Sequence, residues 1–94
     1  MGAFSDLSKA YISGKVIEVE AVVKWGGGAV YRLIIDNEKM DEIEGFAGIF
    51  CLRGKIEDSG RTRNVTVTIK QSLFFGTKYK LEIDGQEYAF ERIR

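Results

Sequence analysis

Within residues 63–94, the segment 78–83 alternates apolar and polar side chains with the period of a β-strand, and this pattern constrains the fold more than any other feature of the chain. Tyr79, Leu81 and Ile83 are each separated by one charged residue. Successive side chains of a strand point to opposite faces, so one face of this strand is apolar and the other is charged. The stretch therefore predicts a strand with its apolar face in the core.

A tight turn at Asp84-Gly85 follows this strand. An Asp-Gly link favours a type I′ hairpin, because both central residues need positive φ, which Gly adopts freely and Asp tolerates. The turn fixes which residues face each other across the hairpin. The predicted register pairs Leu81 with Tyr88 and Tyr79 with Phe90 on the apolar side, and Lys78 with Glu91 and Lys80 with Ala89 on the other side.

The whole chain predicts a single small β domain, residues 1–94, built as a six-stranded antiparallel meander. Because so little helix is predicted to cover an open sheet, the sheet is expected to curl into a small barrel or half-barrel. An open sheet with helices on one face is the alternative. The predicted strands are residues 15–25, 29–36, 49–56, 65–70, 78–83 and 86–91.

Two short helical segments are predicted beside the strands. Residues 5–11 begin with Ser5 as a cap and continue with Asp6 in the first turn. Between strands two and three, Met40, Ile43 and Phe46 recur at a spacing of three, which favours one or two helical turns. A helix this short is marginal, so an acidic loop is the alternative for the second segment.

The connections and the middle strand also have local signatures. Residues 26–28 are three glycines between two strands, which predicts a hairpin turn rather than a phosphate-binding loop. Residues 57–64 are polar and predict an exposed, mobile turn. Residues 49–52 are continuously apolar, which predicts that the strand at 49–56 is buried on both faces in its first half, with Cys51 as a buried, inert thiol.

Composition argues against an enzyme. The chain has no histidine and a single cysteine, which removes the commonest general base, the commonest transition-metal ligand and any intrachain disulfide. We therefore predict no catalytic residues, no metal and no cofactor. No apolar run approaches the roughly 18–20 residues of a membrane span and no secretory signal precedes the domain, so we expect a cytoplasmic protein without a membrane partner.

Charge is balanced overall but uneven along the chain. Residues 36–44 are mainly acidic, whereas residues 61–80 carry basic side chains without an acid. Phe74 and Phe75 lie inside the basic stretch, and basic side chains beside aromatic rings are typical of contact surfaces. The predicted binding residues are Arg61, Arg63, Lys70, Phe74, Phe75, Lys78 and Lys80.

These residues lead to three hypotheses. The first is a binding domain that acts through protein contacts, with a partner protein or a second copy of itself. The second is single-stranded nucleic-acid binding by the same surface, with cations on phosphates and rings stacked on bases. The third is a small-molecule pocket beside Trp25. A structural alternative is that the cations only keep a sheet edge soluble while Phe74 and Phe75 close one end of the barrel.

Overall fold

A computed structural model describes residues 4–24, 28–72 and 76–93, and within them the chain is antiparallel β-structure without a helix. Those ranges accordingly contain no helix long and apolar enough to cross a membrane. The prediction of a mainly β fold is confirmed, but the described residues form nine strands rather than six. The strands are β1 (Phe4–Ile12), β2 (Lys15–Val23), β3 (Ala29–Ile35), β4 (Glu38–Gly45), β5 (Gly48–Asp58), β6 (Arg61–Ser72), β7 (Gly76–Ile83), β8 (Gln86–Tyr88) and β9 (Glu91–Arg92).

The strands form two sheets. The first sheet has the order β4-β3-β2-β1-β9 and the second has the order β5-β6-β7-β8. On one side the chain passes from the second sheet to the first, because β8 pairs with β7 and β9 pairs with β1. On the other side no ladder joins β4 to β5 within the described residues, so no closed barrel is found.

The core lies between the two sheets and is built by the period-two alternation of their strands. Leu33 of the first sheet and Leu52, Val67 and Leu81 of the second are each 0% exposed. The buried apolar side chains form one cluster drawn from both sheets, so neither sheet buries its inner face alone. Its members are Ala10, Ile17, Val19, Ala21, Ala29, Tyr31, Leu33, Ile35, Leu52, Ile56, Val65, Val67, Ile69, Leu81 and Ile83.

The C-terminal hairpin forms as the sequence predicts. Asp84 and Gly85 both have positive φ, 51° and 83°, and Leu81 pairs with Tyr88. The rings of Tyr79 and Phe90 meet edge to face with centroids 6.5 Å apart.

The predicted register does not continue beyond Leu81 and Tyr88: the pairs Lys80 with Ala89, Tyr79 with Phe90 and Lys78 with Glu91 are not formed in the ladder, and Tyr79 and Phe90 meet only through their rings. The reason is that β8 ends at Tyr88, after which the chain crosses to the first sheet. There Glu91 pairs with Lys9 of β1. The C-terminal residues therefore contribute one short strand to each sheet, β8 to the second and β9 to the first.

The predicted N-terminal helix is absent, since residues 5–11 lie within β1. This strand pairs with β2 along its whole length and with β9 at Ser8 and Lys9. A helix of this length gains little from its own hydrogen bonds, so pairing in a sheet prevails. The inward residues Ser8 and Ala10 are small, which hides the strand period from a search for large apolar side chains.

The second helical segment is also absent, and so is the alternative acidic loop, because these residues form β4. Asp36 and Asn37 take positive φ values of 50° and 68° and make a two-residue turn between β3 and β4. The register shifts between Leu33 and Ile34, where Met40 stands without a pairing partner. This extra residue gives Met40 and Ile43 the spacing of three that imitates a helix.

The region from β5 to β6 corrects two further predictions. The turn is confined to Ser59-Gly60, with φ values of 52° and 78°, and the strands continue through the rest of residues 57–64. Residues 49–52 are not buried on both faces: Ile49 is 65% exposed and the thiol of Cys51 is exposed as well. An apolar residue does not have to be buried, so an apolar run alone does not establish a doubly covered strand.

Candidate functional site

The outward side chains of the second sheet form a surface rich in cations. Cross-strand pairing arranges them in rows across β5, β6 and β7, in which Ile49, Lys70 and Lys78 share one row. Each outward residue alternates with a core residue of the same strand, so burial of the core fixes which side chains point out. We call this surface the basic face; it comprises Ile49, Cys51, Arg53, Lys55, Thr66, Thr68, Lys70, Lys78 and Lys80, and it is bordered on the same side of the sheet by the outward carboxylates of Glu57, Glu82 and Glu87.

Within the described ranges, most cations of the basic face form no ion pair. Among the described residues no carboxylate lies within 4.0 Å of Arg53, Lys55, Lys70 or Lys78. Lys80 reaches Glu82 at 4.0 Å. Lys70 and Lys78 stand directly opposite each other across β6 and β7, and like charges in that position destabilise a sheet. An anionic group bound here would relieve that repulsion.

The outer face of the first sheet shows the opposite arrangement. Arg32 lies between Glu20 and Glu42, with nitrogen–oxygen distances of 2.9 and 3.2 Å. These hydrogen bonds, first from Glu20 and then from Glu42, raise the pKa of the Arg32 guanidinium. Lys39 and then Arg32 lower the pKa of the Glu42 carboxyl. The charges of this face are therefore compensated within the sheet.

The acidic segment of residues 36–44 shares in this compensation. Asp36 lies 3.5 Å from the ammonium of Lys15, and Glu44 lies 2.7 Å from that of Lys24. Asp41 accepts a hydrogen bond of 2.9 Å from the backbone nitrogen of Arg53, which is on the neighbouring edge of the second sheet. The carboxylates of Asp36, Asp41 and Glu44 therefore already bind positively charged groups or N–H groups of the same chain.

The basic face carries two open depressions. One has a volume of about 270 Å³ and lies between Ile49 and the lysines of its row. The other has a volume of about 440 Å³ and is lined by Arg53, Lys55 and Thr66, among others. Both are open to solvent and bordered by cations, a shape that suits a partner's surface with projecting acidic side chains.

The described ranges contain no group of three or more Cys, Asp or Glu side chains placed to hold a metal ion. Cys51 is exposed on the basic face, with its sulfur 3.9 Å from the hydroxyl of Thr68.

No family model, curated protein or solved structure matches this chain. We therefore infer the function from the side chains of the basic face.

The structure separates the predicted binding residues into groups. Lys70, Lys78 and Lys80 come together on the basic face. Arg61 is exposed but stands at the other end of β6 from Lys70, roughly 30 Å away at about 3.3 Å per residue. Arg63 forms ion pairs with Asp58 and Asp84. Phe74, Phe75 and the predicted pocket residue Trp25 lie outside the described residues.

Arg53 and Lys55 belong to the basic face but were not predicted as binding residues. Both lie on β5, where Arg53 pairs with Thr66 and Lys55 pairs with Asn64. The signal was present in the sequence, because these cations alternate with Leu52 and Ile56. The apolar run at the start of the strand obscured that alternation.

Arg63 links two hairpins, and this link predicts a pH dependence. Its guanidinium lies 3.3 Å from Asp58 and 3.2 Å from Asp84. The pKa of Asp58 is lowered first by the Ser13 hydroxyl and then by Arg63. The pKa of Asp84 is lowered first by the backbone N–H of Asn64 and then by Arg63.

Since both carboxyls have a lower pKa in the folded state, their contribution to stability is complete above the ordinary aspartate pKa of 3.8 and is lost as the pH falls through the lowered values. We expect Arg63→Met to reduce this acid-induced loss, measured as the melting temperature between about pH 7 and about pH 2. Lys55→Met is the control, because Lys55 has no carboxylate within 4.0 Å among the described residues. An acid-induced loss in Arg63→Met as large as in the parent would contradict the role of this link.

Proposed function

We propose that this chain is a non-enzymatic binding domain whose basic face contacts an acidic surface of a partner protein. The supporting observation is the row formed by Ile49, Lys70 and Lys78 on an exposed sheet. It combines opposed lysines, which lack a counter-charge among the described residues, with an isoleucine that is 65% exposed. A surface of this kind gains both charge neutralisation and apolar burial from a partner.

The described part of the basic face favours protein over single-stranded nucleic acid. Proteins that bind single strands stack the bases on aromatic rings. Phe50 and Tyr79, the described aromatic residues of β5 and β7, pack against the core, so neither presents a ring on the basic face. Ile49 instead offers an aliphatic contact, which suits a protein surface.

A partner protein also fits better than a second copy of this chain. Self-association by opposite charges would require the acidic segment of β4 to meet the basic face of another copy. Glu42 and Glu44 are already in ion pairs within the first sheet.

We place the interaction in the cytoplasm, as predicted from the sequence, where the exposed thiol of Cys51 stays reduced.

Charge reversal on the basic face tests this function. The probe is a fluorescent peptide rich in glutamate with interspersed valine, and its affinity is measured by anisotropy. We expect Lys70→Glu with Lys78→Glu to weaken binding by roughly tenfold or more, because two attractive contacts become repulsive. The control is Lys24→Glu with Lys39→Glu, which makes the same change of charge on the first sheet and should leave the affinity nearly unchanged.

Two parallel measurements separate the alternatives. A single-stranded oligonucleotide of equal charge that binds more tightly than the peptide, and loses affinity in the same variant, would replace the proposed function by nucleic-acid binding. Sedimentation that shows a dimer abolished by the basic-face variant would make the partner a second copy. Equal peptide affinity in the parent and both variants would contradict a contact through the basic face.

A further inference from the structure

A cleft opens where the chain crosses from β8 in the second sheet to β9 in the first sheet. β8 pairs with β7 only along Leu81–Ile83, and β9 pairs with β1 only at Ser8 and Lys9. The space between β1 and β7 is therefore not filled by a continuous strand. It forms a cleft of about 330 Å³, bordered by Ser8, Thr77, Tyr79, Tyr88, Phe90 and Arg92 among others.

The hydroxyl of Tyr79 is the group in this cleft that a ligand could hydrogen-bond. Within the described ranges, it is a buried side-chain polar atom without a hydrogen-bond partner. Such a group costs stability, since it has given up water without gaining a replacement. Burial first, and then the negative charge of Asp6, raises the pKa of Tyr79 to about 12, so the hydroxyl keeps its proton and can donate it in a hydrogen bond.

The walls of the cleft indicate what kind of molecule fits. The rings of Tyr79 and Phe90 meet at an interplanar angle of 80°, which gives the cleft an aromatic wall. Ser8 adds a neutral hydroxyl and is only 4% exposed. The charge of Arg92 is offset by Asp6, whose carboxylate lies 3.0 Å away. Glu87 also borders the cleft, and like Arg92 it is exposed to solvent. The buried polar groups of the cleft, on Ser8 and Tyr79, are neutral hydroxyls.

We propose that this cleft binds a small, uncharged molecule with a planar ring and a carbonyl oxygen, the ring lying against Tyr79 and Phe90 and the oxygen accepting the hydrogen bond of the Tyr79 hydroxyl. A carbonyl supplies the acceptor that the hydroxyl lacks, and a flat ring suits an aromatic wall. None of the residues that define the basic face lines this cleft, so the proposal does not rest on the proposed protein partner.

Benzamide is a suitable probe, because it carries a ring and a neutral carbonyl. In a titration followed by ¹H–¹⁵N NMR we expect saturable shifts at Ser8, Tyr79 and Phe90. Tyr79→Phe keeps the ring and removes the hydroxyl, and it should weaken benzamide binding by about two- to tenfold. Toluene lacks the acceptor and should bind the parent and Tyr79→Phe equally.

The free protein gives a second readout. Because Tyr79→Phe removes an unpartnered buried hydroxyl, we expect its melting temperature to be higher than that of the parent. Tyr11→Phe is the matched control: Tyr11 is 68% exposed and does not border the cleft, so removal of its hydroxyl should leave benzamide affinity unchanged. A lower melting temperature for Tyr79→Phe, undiminished benzamide affinity in that variant, or shifts confined to residues outside the cleft would overturn the proposal.

Discussion

Replacing Ile83 with aspartate is expected to unfold the domain or nearly so. Ile83 is 0% exposed and belongs to the core between the two sheets. A carboxylate at this position has no counter-charge, so it must either lose its hydration or take up a proton, and both are costly. We expect a loss of more than about 4 kcal/mol, against a total stability of about 5 to 14 kcal/mol for a chain of this length.

Lys80→Asp is the matched control, because it places the same side chain on the same strand but on its outward side. Lys80 belongs to the basic face and its side chain is 52% exposed. We expect this variant to stay folded, with urea unfolding close to that of the parent. Equal unfolding midpoints for Ile83→Asp and the parent, followed by circular dichroism, would show that the register of β7 is wrong.

Gly54→Val is the second substitution with a large expected effect. The inward side of Gly54 faces side chains of the first sheet. A β-carbon there would lie 3.1 Å from Cβ of Met40, and 3.2 Å from Cδ1 of Ile35 and Cδ2 of Leu33. Valine adds two more carbons to this space, so the sheets must move apart. Overpacking of this kind is expected to cost about 3 kcal/mol.

The neighbouring substitution Arg53→Val isolates the effect of the inward side chain. Arg53 lies on the basic face of the same strand, and its backbone nitrogen keeps its bond to Asp41 when the side chain changes. We expect only a small change in the urea midpoint for this variant. A Gly54→Val protein as stable as Arg53→Val would show that the two sheets do not approach each other at β5.

The parts of the fold that the sequence predicts correctly are those with a strong local signal. The turn at Asp84-Gly85 needs residues that tolerate positive φ, and the chain places such residues there. The strands from Val65 and from Tyr79 alternate large apolar residues with polar ones, so their inward faces can be read directly. These elements carry Lys70, Lys78 and Lys80, which is why that part of the basic face was predicted.

The parts that the sequence does not predict depend on contacts between distant segments. β1 has an inward face of small residues, and it is a strand because β2 and β9 pair with it. β4 contains an unpaired residue at Met40, and a single extra residue is enough to change the apparent period. Arg63 cannot be recognised as an ion-pair residue until the turn at Asp84 is brought beside it. In each case the deciding interaction is with another strand or turn, so the segment alone does not reveal it.

The rate at which Cys51 is alkylated by a maleimide tests the basic face most directly. This residue is the single cysteine of the chain, and it shares a row with Thr68 and Lys80. We expect the folded protein to react nearly as fast as the unfolded protein, and the glutamate-rich peptide to slow the reaction in the parent but not in Lys70→Glu with Lys78→Glu. A thiol protected in the folded protein, or a rate that the peptide leaves unchanged, would contradict an exposed basic face that binds an acidic partner.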